Sequence, residues 1–127
     1  MKARNLGESF RFAATGMVQA LGSERNMRIH IVVAILAVLL SHALGLGRVE
    51  TAIVVLATMI VIVAEMINTA LEHLVDLVTA EYHPLAAKVK NIAAGAVLTA
   101  AVGAAVVGIM IFGPRLVSMI SEGGVKP

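Results

Sequence analysis

Three long apolar segments divide the chain, and each is long enough to form a membrane-spanning helix. The pattern predicts spans over residues 29–46, 49–78 and 91–112. A helix of roughly 20 apolar residues crosses the hydrocarbon core of a bilayer, which is about 30 Å thick. The second segment is apolar only as far as Glu65, so its last turns are expected to leave the bilayer. The Gly-Pro pair after the third segment is expected to end it, which leaves residues 113–127 as a short tail.

An amphipathic helix is predicted ahead of the spans, over residues 6–24. Apolar residues recur there at steps of three or four, which places them on one helical face. They are Leu6, Phe10, Ala13, Met17 and Leu21. Such a helix fits the membrane interface, with its apolar face in lipid. The alternative is an ordinary amphipathic helix whose apolar face packs on protein.

The third span carries small residues at four-residue spacing. One series is Gly95, Thr99 and Gly103, and a second is Ala96, Ala100, Ala104 and Gly108. Small residues at this spacing let membrane helices approach closely. The stripe therefore predicts close packing, either within one chain or between copies of the chain. Three spans alone make a thin bundle, which favours an oligomer.

Lysine and arginine are distributed unevenly around the spans, and this bias predicts the orientation of the chain. Seven lie on one side: Lys2, Arg4, Arg11, Arg25, Arg28, Lys88 and Lys90. Three lie on the other: Arg48, Arg115 and Lys126. Because positively charged flanks stay in the cytoplasm, the N-terminus and the loop at residues 79–90 are predicted to be cytoplasmic and the C-terminus to lie outside.

Composition supports a membrane protein and excludes several kinds of chemistry. Hydrophobic residues make up 59% of the 127 residues, above the roughly 45–50% of soluble domains. The chain has no cysteine, which excludes disulfides, thiolate metal sites and cysteine nucleophiles. With no tryptophan, one tyrosine and three phenylalanines, stacking on nucleic acid bases is poorly supported, and no nucleic acid partner is expected.

Polar residues form one stripe on the second span. At about 100° per residue, Glu65, Asn68, Glu72 and Asp76 fall within roughly 80° of one another. A charge at membrane depth costs about 2.5–3.5 kcal/mol on the insertion scale, and such residues commonly mark a functional site. Carboxylate and amide oxygens suit Mg²⁺ that is bound together with phosphate. Spacing alone leaves two alternatives open, namely an interhelical hydrogen-bond network and an ion or proton pathway.

Phosphate-binding groups near the stripe are sparse. Lys88 and Lys90 precede the third span and offer positive charge to phosphates, and Glu24 lies at the same membrane face and is a candidate to join the stripe. Neither a Walker-type phosphate loop nor the protein-kinase loops occur in the sequence. Any nucleotide would therefore be held by another arrangement.

The order of these residues resembles the prokaryotic diacylglycerol kinase and undecaprenol kinase family. The resemblance rests on Glu65–Asp76, Glu81–Ala86, Lys90 with Ala93–Val97, and Ser23–Asn26. It runs from about residue 9 to residue 112, with the motifs in the same order around three spans. It implies a homotrimer with active sites between subunits, located in the bacterial cytoplasmic (inner) membrane. It also implies that the enzyme uses Mg²⁺ and ATP to phosphorylate a lipid alcohol.

The resemblance also implies roles for individual residues. Glu65 would be the general base that takes the proton from the lipid hydroxyl, and Glu24 and Glu72 would be the Mg²⁺ ligands that bridge to ATP. The other positions it implies for the nucleotide site are Phe12, Asp76, Glu81, Tyr82, His83, Lys90 and Asn91. Asn68 would support the site.

Two features bear on substrate and activity. The segments Glu24-Arg25-Asn26, Glu72-His73 and His83-Pro84-Leu85-Ala86 look like the undecaprenol kinase branch, which is typical of Gram-positive bacteria. Undecaprenol is thus the expected acceptor, with diacylglycerol as the alternative.

The Lys-Asp pair of the family reads Lys90-Asn91 here. The amide lacks the negative charge and one acceptor, so weakened or lost catalysis is expected, and a non-catalytic membrane bundle is the alternative of another class.

Overall fold

The computed structural model describes residues 5–123, and within that range the chain folds into four helices. They are α1 (Leu6–Ser23), α2 (Arg25–Ala43), α3 (Arg48–Val78) and α4 (Pro84–Gly123). α2, α3 and α4 are each long and apolar enough to cross a membrane. The predicted all-helical fold with three helices of spanning length is therefore confirmed. Lys2, Arg4 and Lys126, which contribute to the predicted orientation, lie outside the described residues.

A single non-helical residue, Glu24, separates α1 from α2. Its backbone is extended, with φ −103° and ψ 121°, and its N–H donates to the carbonyl oxygen of Ala20 at 3.0 Å. At the other end of α1, the side-chain oxygen of Asn5 accepts a hydrogen bond from the N–H of Glu8 at 2.9 Å. This is the usual way in which asparagine satisfies a helix N-terminus. The break turns the chain from α1 into the first span and fixes the position of Glu24 beside α3.

The turn between α2 and α3 is closed by a left-handed glycine. Gly45 has φ +63°, a conformation that glycine adopts without steric cost. The N–H of Leu46 donates to the carbonyl of Ser41, which completes the end of α2. After the turn, Glu50 Oε2 accepts from the N–H of Gly47 at 2.8 Å and lies 3.5 Å from Arg115 Nη2 on α4. Glu50 thus joins the start of α3 to the far part of α4.

α4 is longer than the sequence predicts at both ends. It begins at Pro84, where proline is favoured because the first helical N–H needs no partner, and it continues through Gly113 and Pro114 to Gly123. The prediction that the Gly-Pro pair ends the third span is therefore wrong. A proline inside a helix removes its own N–H donor, and its ring crowds the carbonyl four residues earlier, but membrane helices commonly tolerate both effects. Residues 114–123, which were predicted to belong to the short tail, are therefore helical.

α3 packs against both α2 and α4, and the buried core of a single chain is small. Its apolar members are Ala20, Met27, Ala34, Val54, Val61 and Ala93. Most large apolar side chains on the three long helices are exposed, as expected for surfaces that face lipid or other copies of the chain. Gly95, Thr99 and Gly103 are also exposed, so this series of small residues meets no other helix in the described part of the chain.

Candidate active site

The polar face of α3 comprises Glu65, Asn68, Thr69, Glu72 and Asp76, and its burial decreases along the helix. Glu65 is 2% exposed, Asn68 8% and Thr69 5%. Glu72 is half-buried and Asp76 is exposed. Because α3 is one continuous helix from Arg48 to Val78, these side chains project from one side of it. The face therefore runs from a buried position at Glu65 to an exposed position at Asp76.

Asn68 and Glu72 form a hydrogen bond within this face. Asn68 Nδ2 donates to Glu72 Oε1 at 3.1 Å. A carboxylate that accepts from an amide is held in one orientation, and its remaining lone pairs are directed elsewhere. Asn68 therefore positions the carboxylate of Glu72, while its own Oδ1 is buried without a partner in the described residues.

Asp76 and Lys90 join α3 to α4 at the solvent-exposed end of the face. Lys90 Nζ lies 2.6 Å from Asp76 Oδ1, and the two side chains are 37% and 62% exposed. An exposed ion pair contributes only about 0–1 kcal/mol to stability. The main effect of this ion pair is that it holds the ammonium group of Lys90 beside the polar face.

Glu65 lies among charged neighbours from three parts of the chain. Its carboxylate interacts electrostatically with His30 on α2, with Glu24 between α1 and α2, and with Glu72, about two turns further along α3. His30 lies on α2, whereas Glu65 lies on α3. Its proximity to Glu65 is tertiary, so no local pattern in the sequence indicated it.

Thr69 is a second residue that sequence reasoning missed. It projects from the same face as Glu65 and Glu72, and its hydroxyl oxygen is buried without a hydrogen-bond partner in the described residues. A buried polar group that lacks its partner costs about 1–3 kcal/mol. Such atoms in a native structure commonly mark a place for water or a ligand. In the sequence, Thr69 stands one helical turn after Glu65, but its unpartnered hydroxyl is apparent only in the folded chain.

The loop before α4 is ordered by its own polar groups. Thr79 Oγ1 donates to the carbonyl of Glu81 and accepts from the N–H of Glu81. His83 Nδ1 accepts from the N–H of Leu85 at 3.2 Å, so this imidazole caps α4. The side chain of Tyr82 is 85% exposed. The structure thus assigns His83 a structural contact in addition to the nucleotide role that the resemblance implies.

Phe12, Glu81 and Tyr82 are residues predicted for the nucleotide site that lie outside the polar face. Within residues 5–123, no hydrogen bond or ion pair joins them to it. Phe12 is half-buried on α1, where the guanidinium carbon of Arg11 lies 5.5 Å from its ring centroid. Asn91 is exposed on α4 next to Lys90. The contacts within the described residues therefore do not join Phe12, Glu81, Tyr82 or Asn91 to the polar face.

The donor set fits a Mg²⁺ ion that is shared with nucleotide phosphates. Among the described residues, no group of three or more histidine or carboxylate side chains is arranged to hold a metal alone. Mg²⁺ seldom uses such a cage and is usually bound by one or two carboxylates together with substrate phosphates. Glu24 and Glu72 are both half-buried, and each interacts electrostatically with Glu65, so they have the donor type that such a site requires.

An apolar cavity of about 400 Å³ lies between α2, α3 and α4. Its wall consists of aliphatic and small side chains, with His30 and Thr58 as its polar members. Ala104 and Gly108, from the second series of small residues, line it on α4. Because His30 also interacts with Glu65, the cavity approaches the polar face through this histidine.

Comparison with known proteins identifies the family. A family model described as prokaryotic diacylglycerol kinase matches residues 11–112. The diacylglycerol kinase of Synechocystis sp. is 40% identical over 119 residues, which cover 93% of this chain and 68% of that protein. The undecaprenol kinase of Bacillus subtilis is 37% identical over 109 residues, which cover 86% and 89%. The diacylglycerol kinase of Escherichia coli is 30% identical over 91 residues, which cover 72% and 75%.

The match includes all of α2 and α3 and the polar face between Glu65 and Asp76. The relatives are named as kinases, which transfer phosphate to an alcohol group. The three apolar helices agree with an integral membrane protein. This chain therefore belongs to the prokaryotic diacylglycerol kinase family and is a membrane phosphotransferase with an alcohol as acceptor.

Proposed function

We propose that this kinase phosphorylates undecaprenol, using Mg-ATP, at the polar face of α3. The observation that carries the proposal is the burial of Glu65 among Glu24, His30 and Glu72 on a helix of spanning length. A carboxylate at this position can take a proton from an alcohol that stays in the membrane. The more exposed end of the same face, at Asp76 and Lys90, is open to a water-soluble nucleotide.

The choice of undecaprenol is supported by the residues around that face. The segments at residues 24–26, 72–73 and 83–86 resemble the undecaprenol kinase branch. A relative named undecaprenol kinase aligns over 89% of its own length. The apolar cavity beside His30 offers space for part of a long hydrocarbon tail. Diacylglycerol is the second candidate, because a relative with 40% identity carries that name.

The proposed reaction needs one proton transfer and one displacement. Glu65 accepts the proton of the lipid hydroxyl, and the hydroxyl oxygen forms a bond to the γ-phosphorus of ATP. The bond between that phosphorus and the β–γ bridging oxygen breaks, and ADP leaves. Phosphoryl transfer demands mainly positioning and neutralisation of charge. Lys90, held beside the face by Asp76, supplies positive charge to the phosphates.

Glu24 and Glu72 would hold Mg²⁺, which when bound neutralises phosphate charge. Asn68 keeps the Glu72 carboxylate in one orientation through its hydrogen bond. Phe12, Glu81, Tyr82 and His83 are proposed to approach the nucleotide once it binds.

We further propose that the chain acts as a homotrimer in the bacterial cytoplasmic membrane, with its active sites between subunits. The exposed small residues Gly95, Thr99 and Gly103 support close contact with another copy. The exposed apolar residues of α1, among them Phe10 and Met17, support its placement in the membrane interface. The bias of lysine and arginine supports a cytoplasmic N-terminus and active site, with the C-terminus outside.

The test is transfer of labelled phosphate from Mg-ATP in detergent micelles, with undecaprenol, diacylglycerol or no lipid. Faster labelling of undecaprenol is expected, with no ATP turnover when lipid is absent. Faster labelling of diacylglycerol would replace the proposed substrate by its alternative. Failure of the folded protein to label either lipid would contradict the proposed activity and favour the non-catalytic bundle.

Asn91→Asp is expected to raise turnover about 10- to 150-fold, since a hydrogen bond to a charged group is worth about 1.5–3 kcal/mol. The carboxylate restores the negative charge and the acceptor beside Lys90 that the family pattern has. Turnover with the preferred lipid is the measurement, and Asn91→Ala, which supplies neither group, serves as the control. Equal rates for the natural chain and Asn91→Asp would show that the amide does not weaken this enzyme. Activity only in Asn91→Asp would show that the natural chain is disabled.

A further inference from the structure

The hydroxyl of Thr69 differs from other hydroxyls within the helices. Ser41, Thr58 and Thr99 each donate to the backbone carbonyl four residues earlier, at 2.8–3.1 Å. This is the usual bond of serine and threonine inside a helix. Thr69 makes no such bond, although it is 5% exposed and its oxygen has no partner among the described residues. Its hydroxyl is therefore a buried donor without an acceptor.

Glu65, one helical turn earlier, has a carboxylate that accepts no hydrogen bond within residues 5–123. Its carboxylate belongs to a residue that is 2% exposed, and none of the residues in the described range donates a hydrogen bond to it. Residues four apart on a helix are neighbours on its surface, with Cβ atoms about 5–6 Å apart. An unused donor and an unused acceptor thus occupy successive turns of one face.

Other acceptors near Thr69 fit less well. Glu72, three residues further along, already accepts from Asn68 Nδ2. The unpartnered Oδ1 of Asn68 belongs to the adjacent residue, and adjacent side chains on a helix do not face each other. The carboxylate of Glu65 is the acceptor on this face that has no hydrogen bond of its own within the described range, and it lies one helical turn before Thr69.

We propose that Thr69 is a positioning residue for the proposed base, and that its Oγ1–H donates to one carboxylate oxygen of Glu65 in the working site. The bond turns the other carboxylate oxygen toward the lipid hydroxyl. No proton leaves Thr69, and the hydroxyl touches neither the lipid nor ATP. The proposal rests on the proposed function in that it takes Glu65 as the base of a lipid kinase.

The kinetic test compares Thr69→Val, which keeps the shape and removes the hydroxyl, with Thr69→Ser, which keeps the hydroxyl. We expect valine to lower kcat about tenfold, the effect of losing one hydrogen bond to a charged group. KM for ATP and for lipid should stay within about twofold, because only the orientation of the base changes. Serine should restore most of kcat. In a Glu65→Gln background, Thr69→Val should have no further effect, since the pair then has no charged acceptor.

A second measurement does not depend on turnover. The infrared carboxylate band that Glu65→Gln removes should shift in Thr69→Val and keep its position in Thr69→Ser. Thr69→Ala takes the place of valine if that variant does not reach the membrane. An unshifted band, or an unchanged kcat in an active enzyme, would overturn the proposal. If the natural chain labels no lipid but the Glu65 band still shifts in Thr69→Val, the proposed function is overturned and the Thr69–Glu65 hydrogen bond still stands.

Discussion

Glu65→Gln is expected to lower the rate of phosphoryl transfer by about 10²–10⁴-fold, the usual contribution of a general base. Glutamine keeps the size of the side chain and its ability to accept a hydrogen bond, but it cannot take up the proton of the lipid hydroxyl. KM for ATP should change little, because the proposed role of Glu65 is in the transfer step. The measurement is kcat and KM for the preferred lipid in detergent micelles.

Glu50→Gln provides a matched control on the same helix. Glu50 lies at the opposite end of α3, where it accepts from the N–H of Gly47 and pairs with Arg115. The same substitution there should leave kcat within about twofold, since an exposed ion pair contributes little. Equal loss of activity in both variants would mean that Glu65 supports the fold rather than the reaction.

Glu72→Gln is expected to lower activity about a hundredfold or more at ordinary Mg²⁺ concentrations. The amide is a weaker ligand for a hard cation than a carboxylate, and even loss of an outer partner of a metal ligand commonly costs 10–100-fold. Activity should recover in part as Mg²⁺ is raised. The measurement is the Mg²⁺ concentration that gives half-maximal turnover, compared between the natural chain and the variant.

Asn68→Ala tests the orientation of Glu72 separately from its proposed role as a Mg²⁺ ligand. It removes the 3.1 Å hydrogen bond to Glu72 but keeps the carboxylate, so its Mg²⁺ requirement should rise by less, about tenfold. A Glu72→Gln variant with a normal Mg²⁺ requirement and a normal rate would rule Glu72 out as a metal ligand. The exposed Glu50 again serves as the control whose substitution should change neither quantity.

The helical fold could be predicted from sequence because its determinants are local. Runs of apolar residues predict the three spans, and the spacing of Glu65, Asn68, Glu72 and Asp76 places them on one helical face. The end of α4 could not be predicted in the same way. Gly113 and Pro114 look like a stop signal in sequence, yet the helix continues through them, since the cost of one missing donor is absorbed in such a helix.

The contact of His30 with Glu65 depends on tertiary structure, and for that reason the sequence did not reveal it. His30 comes to Glu65 from another helix, and a lone histidine in an apolar segment has no local feature that predicts this. Thr69 was missed for a different reason. Threonine inside a helix usually bonds to its own backbone, so only its unpartnered hydroxyl in the folded chain marks it as unusual.

Competition between the two lipids in the same micelles tests the central claim most directly. Undecaprenol and diacylglycerol are mixed at equal mole fraction with labelled Mg-ATP, and the two phosphorylated products are separated and counted for the natural chain and for Glu65→Gln. Their ratio equals the ratio of kcat/KM values, which defines substrate specificity. The account predicts that undecaprenyl phosphate dominates and that Glu65→Gln loses both products. A predominance of phosphatidic acid, or labelling that persists without Glu65, would contradict it.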